Sequence, residues 1–574
     1  MNIQKQTLYL FLFLEVLLAP FLLKIYNLYN GFNSEYIKIF QIIAHDSIIL
    51  CSIIFFSYIS YIVSNRTIGI LLRLIALFIY IIYLTDYIIL SLFATHLTYN
   101  DIIKFISYVP KFISQELNID FIVIILALLS LVIIYLFLSY KFKINKKRNH
   151  MIIISSIIIL VILNQFATNG SYIHSWIYKN VVEYNLEIRS QSQEYSKEFI
   201  DSLNYNEKTK TKIYKTDKQP NIIILMVESL SSYQSKLFSG IKNWTPNIDK
   251  IAKDNIYFTN FYANGFVTED AEVSILTGLL PLYAPKIFSN GGGVAFKGFF
   301  DYKKSLPNIF KQYGYNTEFI TTSDLNFSNT GKWAKSIGFD YIEGSEFKGY
   351  EGLPRFHFHS VPDKYLYQRV VSRVSNQKDK FLIFIKTVSS HVPFINPITK
   401  HRSEKEVIQY VDKQVAIFYK NLLKTDFFNN GVLIIVGDHH PTMPVKQEAI
   451  DKFGIYKASA MIPMIISYGD RLKKHITKPF SQIDIYHSLV TYTTNKITVS
   501  NWIGNFIDPN LLISPKYILH KRADRRGVIS IFENKQVYNV MLGGDDTKFL
   551  NKTNNDKQEI LDKINYERIQ KVLD

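Results

Sequence analysis

The chain has 574 residues, a formal net charge of +17 and a single cysteine, Cys51. This length exceeds that of one ordinary domain. The positive charge does not indicate a nucleic-acid partner, because the lysines are scattered and no zinc-knuckle or RNP pattern is present. One cysteine also excludes a disulfide framework, a CxxC metal site and a cysteine nucleophile from the C-terminal half.

The first 168 residues are dense in Ile, Leu, Phe and Tyr and predict a transmembrane domain. A helix needs about 20 apolar residues to cross a bilayer, and five segments qualify, at about 8–29, 41–63, 68–94, 120–140 and 151–168. The loop "KFKINKKRNH" (141–150) is strongly basic, which places it in the cytoplasm. Five spans then deliver everything after residue 168 to the outer side of the membrane.

The remainder of the chain divides into three regions. Residues 169–220 are polar and predict an interfacial helix followed by a linker. From 221 to 510, short apolar runs alternate with amphipathic patterns, which is typical of an α/β domain. The tail, 511–574, predicts a β-hairpin and a final helix that pack on this domain.

Two aliphatic runs, "NIIILMVES" and "GVLIIVGDHH", are typical of central strands buried on both faces of a parallel sheet. The first run ends in Glu228, and the second ends in Asp438, His439 and His440. Functional residues gather at the carboxyl ends of such strands, and two carboxylates with an imidazole suit a divalent cation. The alternative is that Glu228 caps the next helix and that "GDHHP" is a polar turn.

The segment "GFVTEDAEVSILTGLLP" (265–281) places Thr268 between a glycine-bearing turn and an apolar helical run. A hydroxyl at this position is either a helix cap or a nucleophile, and one residue can serve as both.

Together these segments resemble a known family. Five spans followed by an outer domain that contains "NIIILMVES", "TPNIDKIAKDNIYFTNFYANG", "SLPNIFKQYGY", "SSHVPF", "GDHHP" and "SQIDIYHSL" are similar to the lipoteichoic acid synthase group of membrane phosphoglycerol transferases. That group lies in the sulfatase branch of the alkaline phosphatase superfamily. The resemblance implies a five-helix transmembrane N-terminal domain and an α/β alkaline-phosphatase/sulfatase-like domain on the extracytoplasmic side of a bacterial cytoplasmic membrane.

The resemblance also selects the nucleophile. In sulfatases a cysteine or serine opens a C-x-P-S-R pattern, and the helix that follows reads A-x-L-L-T-G. Here "SILTG" matches the end of that helix, and nine residues before Thr277 lies Thr268. The sulfatase arginine position holds Glu272, which disfavours sulfate-ester hydrolysis. The resemblance implies one divalent cation, Mn²⁺ first and Mg²⁺ or Zn²⁺ as alternatives, with four ligands: Glu228, Thr268, Asp438 and His439.

Further roles come from the same resemblance. His391 in "SSHVPF" and Trp333 in "GKWAKSIGFD" match substrate contacts, and Asp324 in "TSD" stands where the synthases carry an "HGD" type segment. His391 or His440 is expected to protonate the leaving oxygen, because imidazole titrates near neutral pH. Asp484 in "SQIDIYHSL" is expected near a helix start, supporting the metal site.

The implied reaction is the transfer of phosphoglycerol from phosphatidylglycerol to a surface glycan or glycolipid through a phospho-threonine. A phosphoethanolamine transferase acting on lipid A or another surface glycan is the alternative, disfavoured because that group tends to carry several disulfides in its soluble domain. A non-catalytic membrane protein that binds lipid or glycan is a third hypothesis. The sequence leaves the oligomeric state open.

Overall fold

The computed structural model describes most of the chain from residue 178 onward and part of the region before it. The described residues are 16, 18–25, 39–93, 96–98, 130, 132–137, 178–190, 194–214, 216, 218–284, 296–356, 359–443, 445–468, 472–523, 527–551 and 557–573. They fall into two compact units, Met1–Glu187 and Ile188–Asp574.

The first unit contains long apolar helices. Helix α1 (Ile39–Ile62) packs against α2 (Arg66–Phe93), and the shorter helix α3 covers Val181–Ser190. Among the described residues, only Arg66–Leu90 is long and apolar enough to cross a membrane, and Ala44–Ser60 is a shorter apolar helix. The predicted spans at 8–29 and 120–140 lie mostly outside the described residues and that at 151–168 lies wholly outside them, so the five-helix domain stays a prediction.

Two carboxylates buried in this unit are paired within it. Asp46 accepts hydrogen bonds from Lys24 Nζ at 2.8 Å and from the Tyr83 hydroxyl at 2.9 Å. Asp86 lies 2.9 Å from His96 Nδ1. Ionisable groups are costly among apolar helices, and these partners offset that cost.

The second unit is built on a large sheet. Its first twelve strands are β1 (Lys210–Ile213), β2 (Asn221–Val227), β3 (Ile256–Phe258), β4 (Phe261–Tyr262), β5 (Asn316–Thr321), β6 (Tyr341–Glu343), β7 (Phe381–Lys386), β8 (Gly431–Gly437), β9 (Met464–Tyr468), β10 (Lys474–Ile476), β11 (Phe480–Ser481) and β12 (Lys496–Val499). Eight of them form one mixed sheet in the order β10-β3-β9-β8-β2-β7-β5-β6. At its centre β2 pairs in parallel with both β7 and β8, so that Ile224 lies between Phe384 and Ile434.

The second unit also contains helices. They are α4 (Lys197–Ser202), α5 (Pro246–Lys253), α6 (Thr268–Thr277), α7 (Leu306–Gln312), α8 (Thr330–Ser336), α9 (Asp363–Asn376), α10 (Glu404–Leu422), α11 (Gln447–Phe453), α12 (Ile455–Ala460), α13 (Ile483–Leu489) and α14 (Thr491–Thr494). Successive strand residues point to opposite faces, so Ile222 and Ile224 join one hydrophobic core while Ile223 and Leu225 join another. The predicted α/β architecture is confirmed.

The C-terminal region forms a second, smaller sheet. Its strands β13 (Ile518–Lys521), β14 (Val528–Glu533), β15 (Gln536–Met541) and β16 (Lys548–Phe549) pair antiparallel in chain order, and helix α15 (Gln558–Leu573) follows. Leu519 and Ile531 of this sheet share a core with Leu280, just after α6, and with Ile483 of α13. Where the sequence predicted a hairpin, the structure has four strands.

Candidate active site

The parallel central strands bring their carboxyl ends to one edge of the large sheet. Glu228 directly follows β2, and Asp438 and His439 directly follow β8. Because β2 and β8 are neighbours in register, with Val227 opposite Gly437, the side chains that follow them lie side by side. The sequence prediction that these two strand ends meet is correct.

Glu228, Asp438 and His439 form a compact buried cluster. One ligand atom from each lies within 4.8 Å of the other two. His439 Nε2 is 3.2 Å from Asp438 Oδ2 and 3.7 Å from Glu228 Oε1. Asp438 Oδ1 is held by the backbone N–H groups of Ser229 at 2.7 Å and His439 at 2.6 Å, so the carboxylate has a fixed orientation.

Thr268 points into the same cluster. It is the first residue of α6, and the N-cap position before it belongs to Val267, which makes no side-chain cap. The Thr268 hydroxyl donates to Glu228 Oε2 at 3.0 Å and lies 3.3 Å from His439 Nε2. It therefore does not cap the helix, and a helix N-terminus behind it is a favourable place for a negatively charged group.

The two buried carboxylates at this edge have shifted pKa values. Burial, reinforced by the neighbouring Glu228 carboxylate, raises the pKa of the Asp438 carboxyl well above its usual range. Burial acts to raise the pKa of the Glu228 carboxyl, but His391, His439 and the hydrogen bonds from Ser229 and Thr268 together outweigh burial, so the pKa lies below the usual glutamate range. Two buried carboxylates in one site favour a cation between them.

Hydroxyl side chains fix the backbone of Glu228 on both sides. Its N–H donates to Thr387 Oγ1 at 2.9 Å, and its carbonyl accepts from Ser390 Oγ. Ser229 Oγ donates to Glu228 Oε1 at 2.8 Å. Sequence reasoning assigned no role to Thr387, Ser390 or Ser229. The hydroxyls of "TVSSH", which follow a buried strand, could have indicated Thr387 and Ser390.

Residues 220–495 match the family model described as Sulfatase. The match covers just under half of the chain, and this part is similar to a sulfatase domain; it is called the sulfatase-like domain. Lipoteichoic acid synthase 1 of Bacillus subtilis is 26% identical over 244 residues, which cover 39% of this chain and 36% of that protein. Phosphoglycerol transferase I of Escherichia fergusonii is 23% identical over 280 residues, which cover 44% of this chain and 34% of that protein.

The chain thus spans about a third of the length of the curated relatives it matches. Among solved structures, the lipoteichoic acid synthase LtaP from Listeria monocytogenes aligns with a TM-score of 0.49 and 21% identity, covering 63% of this chain and 93% of that one.

The sulfatase-like domain holds an ion pair between β7 and α6 that sequence reasoning missed. Lys386, the last residue of β7, lies 3.2 Å from Glu272 Oε1 of α6, and both side chains are buried. Burial, partly offset by Lys386, raises the pKa of Glu272 to about 7. The lysine that interrupts the apolar run "FLIFIKTV" was the available signal.

Three other predicted site residues, His391, His440 and Asp324, make contacts outside the cluster of Glu228, Asp438 and His439. His391 is half-buried and follows β7, with Nδ1 2.5 Å from the Val392 carbonyl oxygen. The buried His440 ring packs beside Tyr233, with 5.2 Å between ring centroids. Asp324 follows β5 and accepts from the Asn326 backbone N–H at 2.9 Å. These residues follow strands that end at the same edge of the sheet.

Trp333 is placed in the hydrophobic core. It is fully buried, stacks on Phe296 with 4.1 Å between ring centroids, and donates its indole N–H to the Phe299 carbonyl at 3.1 Å. Its polar atom is therefore satisfied within the protein. The predicted substrate contact stays a prediction, and the observed surroundings do not favour it.

Gln482, not Asp484, is the residue of "SQIDIYHSL" that contacts the strand end carrying Asp438. Gln482 Nε2 donates to the carbonyls of Gly437 at 3.1 Å and Asp438 at 2.7 Å. Asp484 instead accepts from the backbone N–H groups of Ser481 at 2.8 Å and Gly504 at 2.6 Å. The support for the metal site that was expected from Asp484 therefore comes from Gln482, two residues earlier in the chain.

The cluster fits a divalent cation by its donor set. Two carboxylates, one imidazole and one hydroxyl match the oxygen and nitrogen ligands of Mn²⁺, Mg²⁺ or Zn²⁺. Asp438 Oδ2 accepts no hydrogen bond within the described part of the chain, although it is buried. A buried carboxylate oxygen without a donor is costly, and a metal ion would offset that cost.

Proposed function

We propose that the protein is a membrane-anchored transferase that moves a phosphoglycerol head group from phosphatidylglycerol to a hydroxyl of a surface glycan or glycolipid. The observation that carries this proposal is the Thr268 hydroxyl, which contacts both Glu228 and His439 inside the candidate metal cluster. Similarity to proteins named lipoteichoic acid synthase 1 and phosphoglycerol transferase I supports the substrate class.

Two features favour phosphotransfer over sulfate-ester hydrolysis. Threonine stands where sulfatases need cysteine or serine, and Glu272 stands at their arginine position. Glu272 is buried and paired with Lys386, so it takes part in the packing behind α6 and offers no positive charge to a sulfate group.

The bound cation, held by Glu228, Thr268, Asp438 and His439, would lower the pKa of a hydroxyl and polarise a phosphoryl oxygen. Thr268 Oγ1, which is hydrogen-bonded to Glu228 Oε2, loses its proton to solvent, while Glu228 stays ionised. The oxygen then attacks the donor phosphorus. A P–O bond to Thr268 forms while the P–O bond to diacylglycerol breaks, and His391 or His440 protonates the departing oxygen.

The second step restores the enzyme. An acceptor hydroxyl gives its proton to the same imidazole and attacks the phosphorus, and the bond to Thr268 breaks. The Thr268 oxygen regains its proton, and phosphoglycerol is now carried by the acceptor. Throughout, the N-terminus of α6 stabilises the negative charge next to Thr268.

The apolar N-terminal region fits a lipid donor. Helices of this kind hold an enzyme at a membrane, where phosphatidylglycerol resides. We place the sulfatase-like domain on the extracytoplasmic side of a bacterial cytoplasmic membrane, where surface glycans are assembled.

Diacylglycerol release by the full chain in detergent tests this proposal. With labelled phosphatidylglycerol and Mn²⁺, wild type should release diacylglycerol, whereas Thr268→Ala should release none above background. Thr277→Ala is the matched control, because Thr277 lies on the same helix and its hydroxyl donates to the Val273 carbonyl at 2.6 Å and accepts from the Leu279 N–H at 3.2 Å. It should retain activity.

Mass spectrometry of the Thr268 peptide identifies the head group. Incubation with phosphatidylglycerol should add phosphoglycerol to that peptide. A phosphoethanolamine adduct from phosphatidylethanolamine would favour the alternative transferase instead, and full activity of Thr268→Ala would remove the nucleophile assignment.

A further inference from the structure

The segment that presents Thr268 is bordered by the C-terminal sheet. Lys521 N–H donates to the Asn264 carbonyl at 3.0 Å, and Asn264 Nδ2 donates to the Leu519 carbonyl at 2.9 Å. Between them, His520 Nδ1 lies 2.8 Å from the Ala263 carbonyl oxygen. Strand β13 is therefore hydrogen-bonded to Ala263 and Asn264, a few residues before the helix that begins at Thr268.

One buried carboxylate fixes the turn between this segment and Thr268. Asp270 in the first turn of α6 accepts from the Phe266 N–H at 3.3 Å and from the Tyr283 hydroxyl at 2.9 Å. Only glycine fits at 265, because a Cβ there would lie 2.1 Å from Asp270 Oδ2. The chain folds back tightly onto Asp270, and the position of Thr268 depends on that contact.

Lys521 supplies the positive charge for Asp270. Its Nζ lies 2.6 Å from Asp270 Oδ1 and 4.2 Å from the centre of the Tyr283 ring. Asp270 is completely buried and Lys521 is 8% exposed. Burying two charges is costly unless their geometry is good, and the proposed chemistry makes no use of either group.

A second C-terminal residue supports the same arrangement. Arg568 of α15 is buried and donates through Nε to the Tyr283 carbonyl at 3.1 Å. Tyr283 is thus held at its backbone by α15, while its hydroxyl holds Asp270. Both Lys521 and Arg568 lie outside residues 220–495, which match the sulfatase family model.

We propose that the C-terminal sheet is part of the catalytic apparatus and that Lys521 is a positioning residue, which sets the place of Thr268 through its ion pair with Asp270. This inference rests on the proposed role of Thr268 as nucleophile. It makes the C-terminal region necessary for turnover although it contributes no reacting group. A nucleophile displaced by about 1 Å can lose about 100-fold in rate, which sets the size of the expected effect.

The test compares Lys521→Met with Lys521→Arg and with Lys563→Met, all in the full chain in detergent. Lys563 is the matched control: it is a buried C-terminal lysine paired with Glu207 at 2.5 Å and Glu567 at 2.7 Å, away from residues 263–270. Lys521→Met should lower kcat for diacylglycerol release by roughly 10- to 100-fold with little change in KM. Lys521→Arg should recover much of that loss, and Lys563→Met should keep kcat.

Hydrogen exchange of the folded proteins provides a readout that does not depend on activity. Amides of 265–272 should exchange faster in Lys521→Met than in wild type, and should be unchanged in Lys563→Met. If Lys521→Met only lowers the unfolding temperature, with wild-type kcat and wild-type exchange at 265–272, the inference is overturned. Absence of turnover in wild type would refute the proposed function, whereas unchanged exchange in Lys521→Met would refute the positioning role.

Discussion

Two acidic regions of the sulfatase-like domain differ in the groups that bind their carboxylates. At the flank of the large sheet, Glu318 of β5 is bound by Arg373 through Nε and Nη2, each at 2.6 Å. Glu343 of β6 is bound by Arg369 through Nε at 3.0 Å and Nη2 at 2.9 Å. Each carboxylate there has its own guanidinium. Glu318 has the paired geometry that gives strong hydrogen bonds, with one carboxylate oxygen for each nitrogen, whereas both Arg369 nitrogens bind Oε2 of Glu343.

At the carboxyl edge of the same sheet the balance is different. Glu228 and Asp438 converge with His439, and no lysine or arginine is paired with either carboxylate among the described residues. The flank carboxylates are neutralised by arginines, whereas Glu228 and Asp438 are available to bind a metal cation. Unbalanced buried charge of this kind is characteristic of functional sites, and the contrast supports a metal site at this edge.

Removing one carboxylate from each region is the strongest test of that contrast. Asp438→Asn should abolish measurable Mn²⁺ binding and diacylglycerol release, a larger effect than the roughly 100-fold that loss of an outer partner of a metal site costs. Isothermal titration with MnCl₂ measures the binding. Glu318→Gln should reduce stability and leave Mn²⁺ affinity intact; equal losses in the two variants would erase the distinction.

The Lys386–Glu272 pair lies between these two cases, since it is a single ion pair buried at the site edge. Lys386→Met should lower the free energy of unfolding by at most about 3–5 kcal/mol at pH 8, because Glu272 would have to stay buried as an unpaired charge or take up a proton. Adding Glu272→Gln should recover most of this loss. Denaturant titration measures both, and failure of the double variant to recover would show that Lys386 acts independently of Glu272.

The fold and most of the metal cluster were predictable because they follow from local patterns. The continuous aliphatic runs of β2 and β8 indicate buried parallel strands, and parallel strands must end at the same edge. These patterns place Glu228, Asp438 and His439 at one edge, and the pairing of β2 with β8 brings them together. Thr268 needed more, because the register of α6 relative to "SILTG" came from the family resemblance.

Other features depend on packing between distant segments, which a single sequence does not encode locally. Lys521 and Asp270 are far apart in the chain, and nothing near either residue indicates the other. Trp333 sits in a segment that resembles a substrate pocket, yet its indole is enclosed by Phe296 and Phe299. Tertiary contacts, not motif position, decide whether such a side chain faces a ligand.

Gln482 offers a smaller test of how the metal edge is held. Its amide bonds the carbonyls of Gly437 and Asp438, so it fixes the strand end from which the ligands project. Gln482→Ala should weaken Mn²⁺ binding by roughly 10- to 100-fold, as expected for an outer partner of a metal site. Gln447→Ala, which removes a surface bond to Asp451, is the control. Unchanged affinity in Gln482→Ala would limit its role to packing.

The pH dependence of stability tests Asp484, a buried carboxylate with which no positively charged side chain is paired among the described residues. Burial raises the pKa of its carboxyl from 3.8 to about 7. Between these values the unfolded chain loses the proton first, which stabilises the unfolded state, so stability decreases as pH rises from about 4 to 7. The contribution is at most about 1.4 kcal/mol per pH unit.

Asp484→Asn isolates this contribution, because asparagine does not titrate. The free energy of unfolding, measured by denaturant titration at intervals from pH 4 to 7, should fall less steeply with pH in Asp484→Asn than in wild type. Gln447→Ala, which removes no titrating group, is the control and should keep the wild-type profile. Parallel profiles for wild type and Asp484→Asn would mean that hydrogen bonds from Ser481 and Gly504 stabilise the charged form well enough to replace a cation.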